Sequence, residues 1–175
     1  MLKKILALIT SFFIVEQVAS ANETPNSKLL LNTSKGEIVI KFLPDIAPVH
    51  VARIIELVKS GFYDGIIFHR VIDGFMAQTG DPTGTGMGGS DLPDIRAEFS
   101  DEPFSRGTLG MARSQHPDSA NSQFFICFEE SSFLNGQYTV FGKVIEGMEY
   151  VDKIMRGEPP DYPDKIISMK VSNDG

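Results

Sequence analysis

The chain has no tryptophan, one cysteine and three histidines in 175 residues. Each shortage removes a class of function. A lone cysteine cannot close an internal disulfide, and Cys127 sits in Phe124-Phe125-Ile126-Cys127-Phe128, where a thiol reads as a small buried hydrophobe rather than a nucleophile. His50, His69 and His116 show no His-x-x-x-His spacing and no accompanying cysteine pair, so no metal set and no cofactor are expected. No Gly-x-Ser-x-Gly elbow is present, and no carboxylate lies in an apolar stretch that would raise its pKa. Block charges are missing too. A formal net charge of −7 without a basic stripe argues against nucleic acid and anionic membrane as main partners. Nor is there an apolar run long enough to cross a bilayer, because residues 5–15 are cut off by Glu16 and Gln17.

That short run has a reading of its own. Lys3 and Lys4 precede it and Ala19-Ser20-Ala21 follows, the pattern of a secretory signal cleaved after Ala21. The alternative is an uncleaved anchor. The expected organisation is a signal over residues 1–21 and one domain over 22–175, exported to the periplasm or secreted, with no membrane attachment after cleavage. The length suits one domain with a proper core, and with no long exposed apolar patch a monomer is expected.

What the chain does contain is a succession of short strands. Residues 28–33 and 37–42 flank Ser34-Lys35-Gly36, a hairpin composition. A helix follows, with Asp45 as its cap, Pro48 in its first turn and Gly61 as its stop. Ala47, Val51, Ile54, Ile55 and Val58 form a stripe that covers a sheet, while His50 falls off the stripe and reads as exposed. Residues 68–78 form a second hairpin around Ile72-Asp73-Gly74. Alternation puts Phe68 and Arg70 on one face and His69 on the other, and Met76 shares a face with Gln78. Gly84-Thr85-Gly86-Met87-Gly88-Gly89 lacks the Lys-Ser/Thr and the following helix of a phosphate loop, and reads as a tightly turned surface loop. Strands are expected at 107–112, 124–128 and 139–145, a short helix over 148–156 stopped by Gly157, and a last strand in which Ile167, Met169 and Val171 alternate. Many short strands with two separate helices imply a mostly β domain built on a closed or sandwiched antiparallel sheet.

Phe68-His69-Arg70-Val71-Ile72-x-Gly74-Phe75-Met76-x-Gln78-x-Gly80-Asp81 resembles the signature of cyclophilin-type peptidyl-prolyl cis-trans isomerases. Gly110-Met111-Ala112-Arg113, Asn121-Ser122-Gln123-Phe124-Phe125-Ile126, Phe133-Leu134-Asn135-Gly136 and Val140-Phe141-Gly142-Lys143-Val144 match further blocks in the family's order. The resemblance spans nearly all of residues 22–175. It implies a closed eight-stranded antiparallel β-barrel capped by two α-helices, and an enzyme that speeds rotation about X-Pro bonds without nucleophile, metal or cofactor. By the same resemblance Arg70 is the catalytic cation, and Phe75, Met76, Phe125 and Leu134 hold the proline ring. Gln78 and Gln123 orient the substrate and steady the arginine, and Ala112 and Arg113 meet the residues before proline. Arg113 replaces the asparagine, Tyr138 the histidine and Phe133 the tryptophan found in many members. Loss of the indole N–H implies weak cyclosporin binding. The implied partners are proline-containing peptides and unfolded or nascent exported proteins. The alternative is a proline-segment-binding module or holdase that uses the same groove without needing turnover.

Overall fold

Strands form where the alternation is strictest. In β1 (Ser27–Thr33) Leu29 and Leu31 point inward, and in β2 (Gly36–Phe42) Ile38, Ile40 and Phe42 do so, all buried. The two pair antiparallel with Leu29 opposite Ile40 and Leu31 opposite Ile38. These elements belong to a computed structural model that describes residues 27–173; the signal reading of residues 1–21 lies outside them. Helix α1 (Pro48–Lys59) buries Val51, Ile54, Ile55 and Val58, the expected stripe, against the sheet, with Pro48 in its first turn.

Two expectations about α1 are corrected. Asp45 does not cap it. Glu98, in a distant loop, takes the backbone N–H groups of Val49 (3.1 Å) and His50 (3.0 Å). A carboxylate at that end satisfies two orphan donors and opposes the positive pole of the helix. The same carboxylate lies 2.6 Å from His50 Nδ1, and His50 is fully buried rather than exposed. Burial lowers the His50 pKa against the raising effect of Glu98.

The remaining strands are β3 (Arg70–Ile72), β4 (Met76–Thr79), β5 (Thr108–Met111), β6 (Phe124–Cys127), β7 (Val140–Glu146) and β8 (Ile166–Asn173), with α2 (Met148–Val151) between the last two. They form one eight-stranded sheet in the order β3-β4-β6-β5-β7-β2-β1-β8, all described pairings antiparallel. The closed barrel is therefore corrected to an open half-barrel with β3 and β8 at its edges. Among the described residues isolated bridges, Ile67 to Lys165 and Val71 to Gly157, and a hydrogen bond from the Gly65 N–H to the Ile166 carbonyl span the gap in place of a ladder. The segment facing β3 carries Pro159, Pro160 and Pro163, which cannot donate to a ladder, so pairing there stops at isolated contacts. Helix α2 ends earlier than expected. Arg156 Nη1 donates to the carbonyls of Asp152 (2.8 Å) and Ile154 (2.6 Å), and the chain turns about that guanidinium instead of continuing as a helix.

The central strands β5 and β6 are buried along their whole length, and alternation along β4 and β6 serves two cores. Ala77, Phe124 and Ile126 join the main cluster under α1. Met76, Phe125 and Cys127 join a smaller one with Phe104, Leu134 and Val140. The smaller cluster underlies the candidate site.

Candidate functional site

A hollow of about 140 Å³ opens over the second core, lined by Arg70, Phe75, Met76, Gln78, Ala112, Arg113, Phe125, Leu134 and Tyr138. Its construction follows from register. Arg70 pairs with Gln78, Gln78 with Phe125, and Phe125 with Gly110, so the four form one row across β3, β4, β6 and β5. Gly110 is needed there for space. A Cβ at that position would overlap the rings of Phe125 and Phe104, which stack at 5.7 Å. Tyr138 meets Phe125 edge-on at 5.9 Å. Leu134 is supplied by a 3₁₀ turn, Ser132–Leu134. Met76, Phe125 and Leu134 are buried and make an apolar floor; Phe75 and Tyr138 are partly exposed at the rim.

Arg70 stands on the wall with its side chain 43% exposed. Its Nε–H donates to Glu158 Oε1 at 2.8 Å, and its terminal nitrogens make no hydrogen bond among the described residues. Arg113 differs. Its guanidinium donates to the carbonyls of Gln137 (2.8 and 3.2 Å), Ser114 (2.9 Å) and Gln115 (3.3 Å), and it lies 4.4 Å over the Tyr138 ring. Of the two cations at the hollow, Arg70 uses one of its five donors within the protein and Arg113 uses four, so Arg70 is the one with donors to spare.

The glutamines are arranged otherwise than the resemblance implied. Gln78 Nε2 donates to Gln123 Oε1 (2.9 Å), and Gln123 Nε2 donates to the carbonyls of Gly86 (3.1 Å) and Gly88 (2.8 Å). Neither is hydrogen-bonded to Arg70; Glu158 is. Gln123 lies off the hollow, on a neighbouring cleft of about 420 Å³ that shares Gln78, Ala112 and Arg113 with it. Phe133 is also outside the wall, 63% exposed and tilted against Phe75 at 5.3 Å.

The glycine-rich loop beyond β4 is organised by a carboxylate. Asp81 accepts the N–H groups of Thr83 (2.7 Å), Gly86 (2.6 Å) and Gly88 (3.1 Å) and the Thr83 hydroxyl (2.8 Å). The amides that a phosphate would need are thus turned onto the protein's own anion. Burial raises the Asp81 carboxyl, but the hydroxyl and the three amides outweigh it and hold its pKa at about 2. The two carbonyls that fix Gln123 belong to this loop, so Asp81 orients the amide chain from below.

Acid–base and thiol chemistry find no footing. His69 is buried behind the hollow, its ring nitrogens without a hydrogen-bond partner; burial lowers its pKa against the pull of Asp81. Burial pushes the Cys127 thiol up to about 12, with Ser131 opposing. Among the described residues no three His, Cys, Asp or Glu side chains gather as a metal set. Glu158 is the site residue that sequence reasoning missed. Its partner is 88 positions away, and a glutamate in a proline-rich loop carries no local signal.

A half-barrel of this topology, with a guanidinium on the wall of an apolar hollow, defines a cyclophilin-type protein. The family model for cyclophilin-type peptidyl-prolyl cis-trans isomerases matches residues 28–171, and the chain belongs to that family. It is similar to a probable peptidyl-prolyl cis-trans isomerase of Brucella abortus, 51% identical over 174 residues that cover 90% of this chain and 88% of that one. A peptidyl-prolyl cis-trans isomerase of Acinetobacter baylyi is 37% identical, covering 99% and 97%. Among solved structures, a cyclophilin from Hirschia baltica superposes with a TM-score of 0.76 at 30% identity, over 82% of this chain and 73% of that one. A Cryptosporidium parvum cyclophilin-type isomerase studied in the presence of the dipeptide Ala-Pro superposes with a TM-score of 0.78 at 30% identity, over 84% and 99%. The chain is an enzyme, a peptidyl-prolyl cis-trans isomerase.

Proposed function

We propose that the protein is an exported isomerase that seats proline in the hollow of Phe75, Met76, Phe125 and Leu134 and uses the Arg70 guanidinium to ease the preceding amide through its perpendicular state. The barrier to be lowered is about 18–20 kcal/mol and comes from lost amide resonance. No bond breaks, so a site without nucleophile or metal suffices, provided it favours the twisted amide over both planar forms. In the twisted form the proline nitrogen recovers a lone pair. A guanidinium is permanently charged and carries several donors in one plane, and a terminal N–H can donate to that lone pair. The bond is absent from the planar forms, where the nitrogen lone pair is delocalised, and it strengthens as the ring displaces water from the hollow.

The observation carrying this reading is the state of Arg70, with Nε taken by Glu158 and the terminal nitrogens unpaired beside an apolar floor. The Ala-Pro dipeptide used with the Cryptosporidium parvum relative supports a proline as the occupant. Gln78, Ala112, Arg113, Gln123 and Tyr138 border the path of the residues before proline, and Phe133 extends the rim beside Phe75. The export reading rests on residues 1–21, and determining the mature N-terminus checks it: an N-terminus at Asn22 supports it, an intact Met1 in the envelope fraction replaces cleavage by the uncleaved anchor, and an intact Met1 in the cytosolic fraction refutes export.

Replacing Arg70 with Ala is expected to lower kcat/KM for an X-Pro peptide by on the order of 10²-fold, the size of effect seen when a transition-state donor is removed. The fold should survive, because a half-exposed ion pair contributes only about 0–1 kcal/mol. Undiminished turnover in that variant would end the mechanism. A second reading, client binding without turnover, is favoured by the exposed Met87 and Phe133 that flank the cleft and the hollow. It predicts that the Arg70→Ala protein still suppresses aggregation of an unfolded client, and it fails if protection disappears along with isomerisation.

A further inference from the structure

The segment after α2 is joined to strand β3 itself by one backbone bridge. Val71 N–H donates to the Gly157 carbonyl and Gly157 N–H donates to the Val71 carbonyl, both at 2.8 Å. Gly157 has a φ of +149°, and a Cβ there would meet the Pro160 backbone closely, so this bend is restricted to glycine. An ion pair stands on each side of the bridge. Arg156 Nε donates to Asp73 Oδ1 at 3.0 Å, and Arg70 Nε donates to Glu158 Oε1 at 2.8 Å. The backbone bridge thus sets Glu158 beside Arg70 although the two are far apart in sequence. Arg156 is also held by two carbonyls and by the Phe128 ring, 4.0 Å below its guanidinium, so the strap does not depend on Glu158 for its own anchorage.

We infer that Glu158 is a positioning residue for isomerisation: its carboxylate takes the Nε–H of Arg70, fixes the plane of the guanidinium and leaves the terminal nitrogens to the hollow. The inference rests on Arg70 being the catalytic cation. A long side chain that is 43% exposed has many rotamers, and one charge-assisted bond at the inner nitrogen removes most of them while occupying none of the outer donors. No other side chain among the described residues hydrogen-bonds Arg70. The cost of the arrangement is that a negative charge sits close to the cation. The role of Glu158 is therefore geometric, and an uncharged acceptor of the same length should serve nearly as well.

The test is a set of variants of the full domain assayed on an X-Pro peptide, with kcat and KM separated. Glu158→Ala is expected to lower kcat about tenfold with KM little changed, as for an interaction made through a transition-state donor. Glu158→Gln, which keeps an oxygen at the same reach, should stay within about twofold of the parent. Asp73→Asn, which loosens the other ion pair of the strap, should leave both constants unchanged. In the Arg70→Ala background Glu158→Ala should have no further effect, since a residue acting through another has nothing left to act on. Equal losses in the Ala and Gln variants, equal losses in Asp73→Asn and Glu158→Ala, or additive losses in the double variant would each overturn the inference. If Arg70→Ala alone retained full turnover, the arginine mechanism itself would fall, and the two failures are thereby told apart.

Discussion

A single methyl added at position 110 tests how tightly the hollow is specified. Gly110→Ala must push aside Phe125 or Phe104, whose rings close over that backbone, and Phe125 is part of the floor on which a proline would rest. Overpacking of this kind costs about 1–3 kcal/mol in stability. We expect a lower urea midpoint together with a raised KM for X-Pro peptide, because the floor moves; a variant with an unchanged midpoint and KM would show that the rings yield without cost. At this scale the order of the motifs was enough to anticipate that Arg70, Met76, Gln78 and Phe125 gather at one hollow. The sequence was silent at Glu158, which only folding brings to Arg70. It misdirected at His50, whose place off the apolar stripe implied solvent although an acidic partner 48 residues on makes burial tolerable.

Helix α1 shows the same contrast one level up. Its apolar stripe and its first-turn proline were readable from spacing, and Gly61 follows its end with a φ of +71°. Its cap was not, since the carboxylate that serves its first turn comes from a loop beyond β4 and not from the adjoining Asp45. Glu98→Ala should therefore destabilise the fold by about 1–3 kcal/mol in denaturant unfolding, leaving two backbone donors and a buried imidazole without an acceptor. Asp45→Ala, at an exposed position that caps nothing, should fall within about 0.5 kcal/mol of the parent. Equal effects from the two would reject the distant cap. Strand positions were legible because period-2 alternation is local. The order of the strands was not, because neighbours such as β4 and β6, or β7 and β2, meet across long intervals of chain. The shortness of α2 likewise depends on where the Arg156 guanidinium lands after folding.

Taken whole, the molecule should lose stability on the acid side in two steps. Burial lowers the pKa of His50 and of His69 from the ordinary 6.5, so the folded state takes up these protons less readily than the unfolded chain. Stability from these two groups is complete above 6.5 and declines as the pH falls below it. Asp81, held at about 2 against an ordinary 3.8, adds about 2 kcal/mol that is present above 3.8 and is lost as the pH drops toward 2. A calorimetric series should therefore show a thermal midpoint that starts to drop below about pH 6.5 and drops again below about pH 4; a midpoint that rises between pH 7 and 5.5 would contradict the assignment. The open half-barrel has a further consequence at this scale. A sheet edge left open runs the risk of being paired, strand upon strand, with other chains into aggregates. Here the rim strand bearing Arg70 is only three residues long, and both main-chain groups of its middle residue are already engaged by Gly157. An extended segment of another chain finds no template there to lengthen.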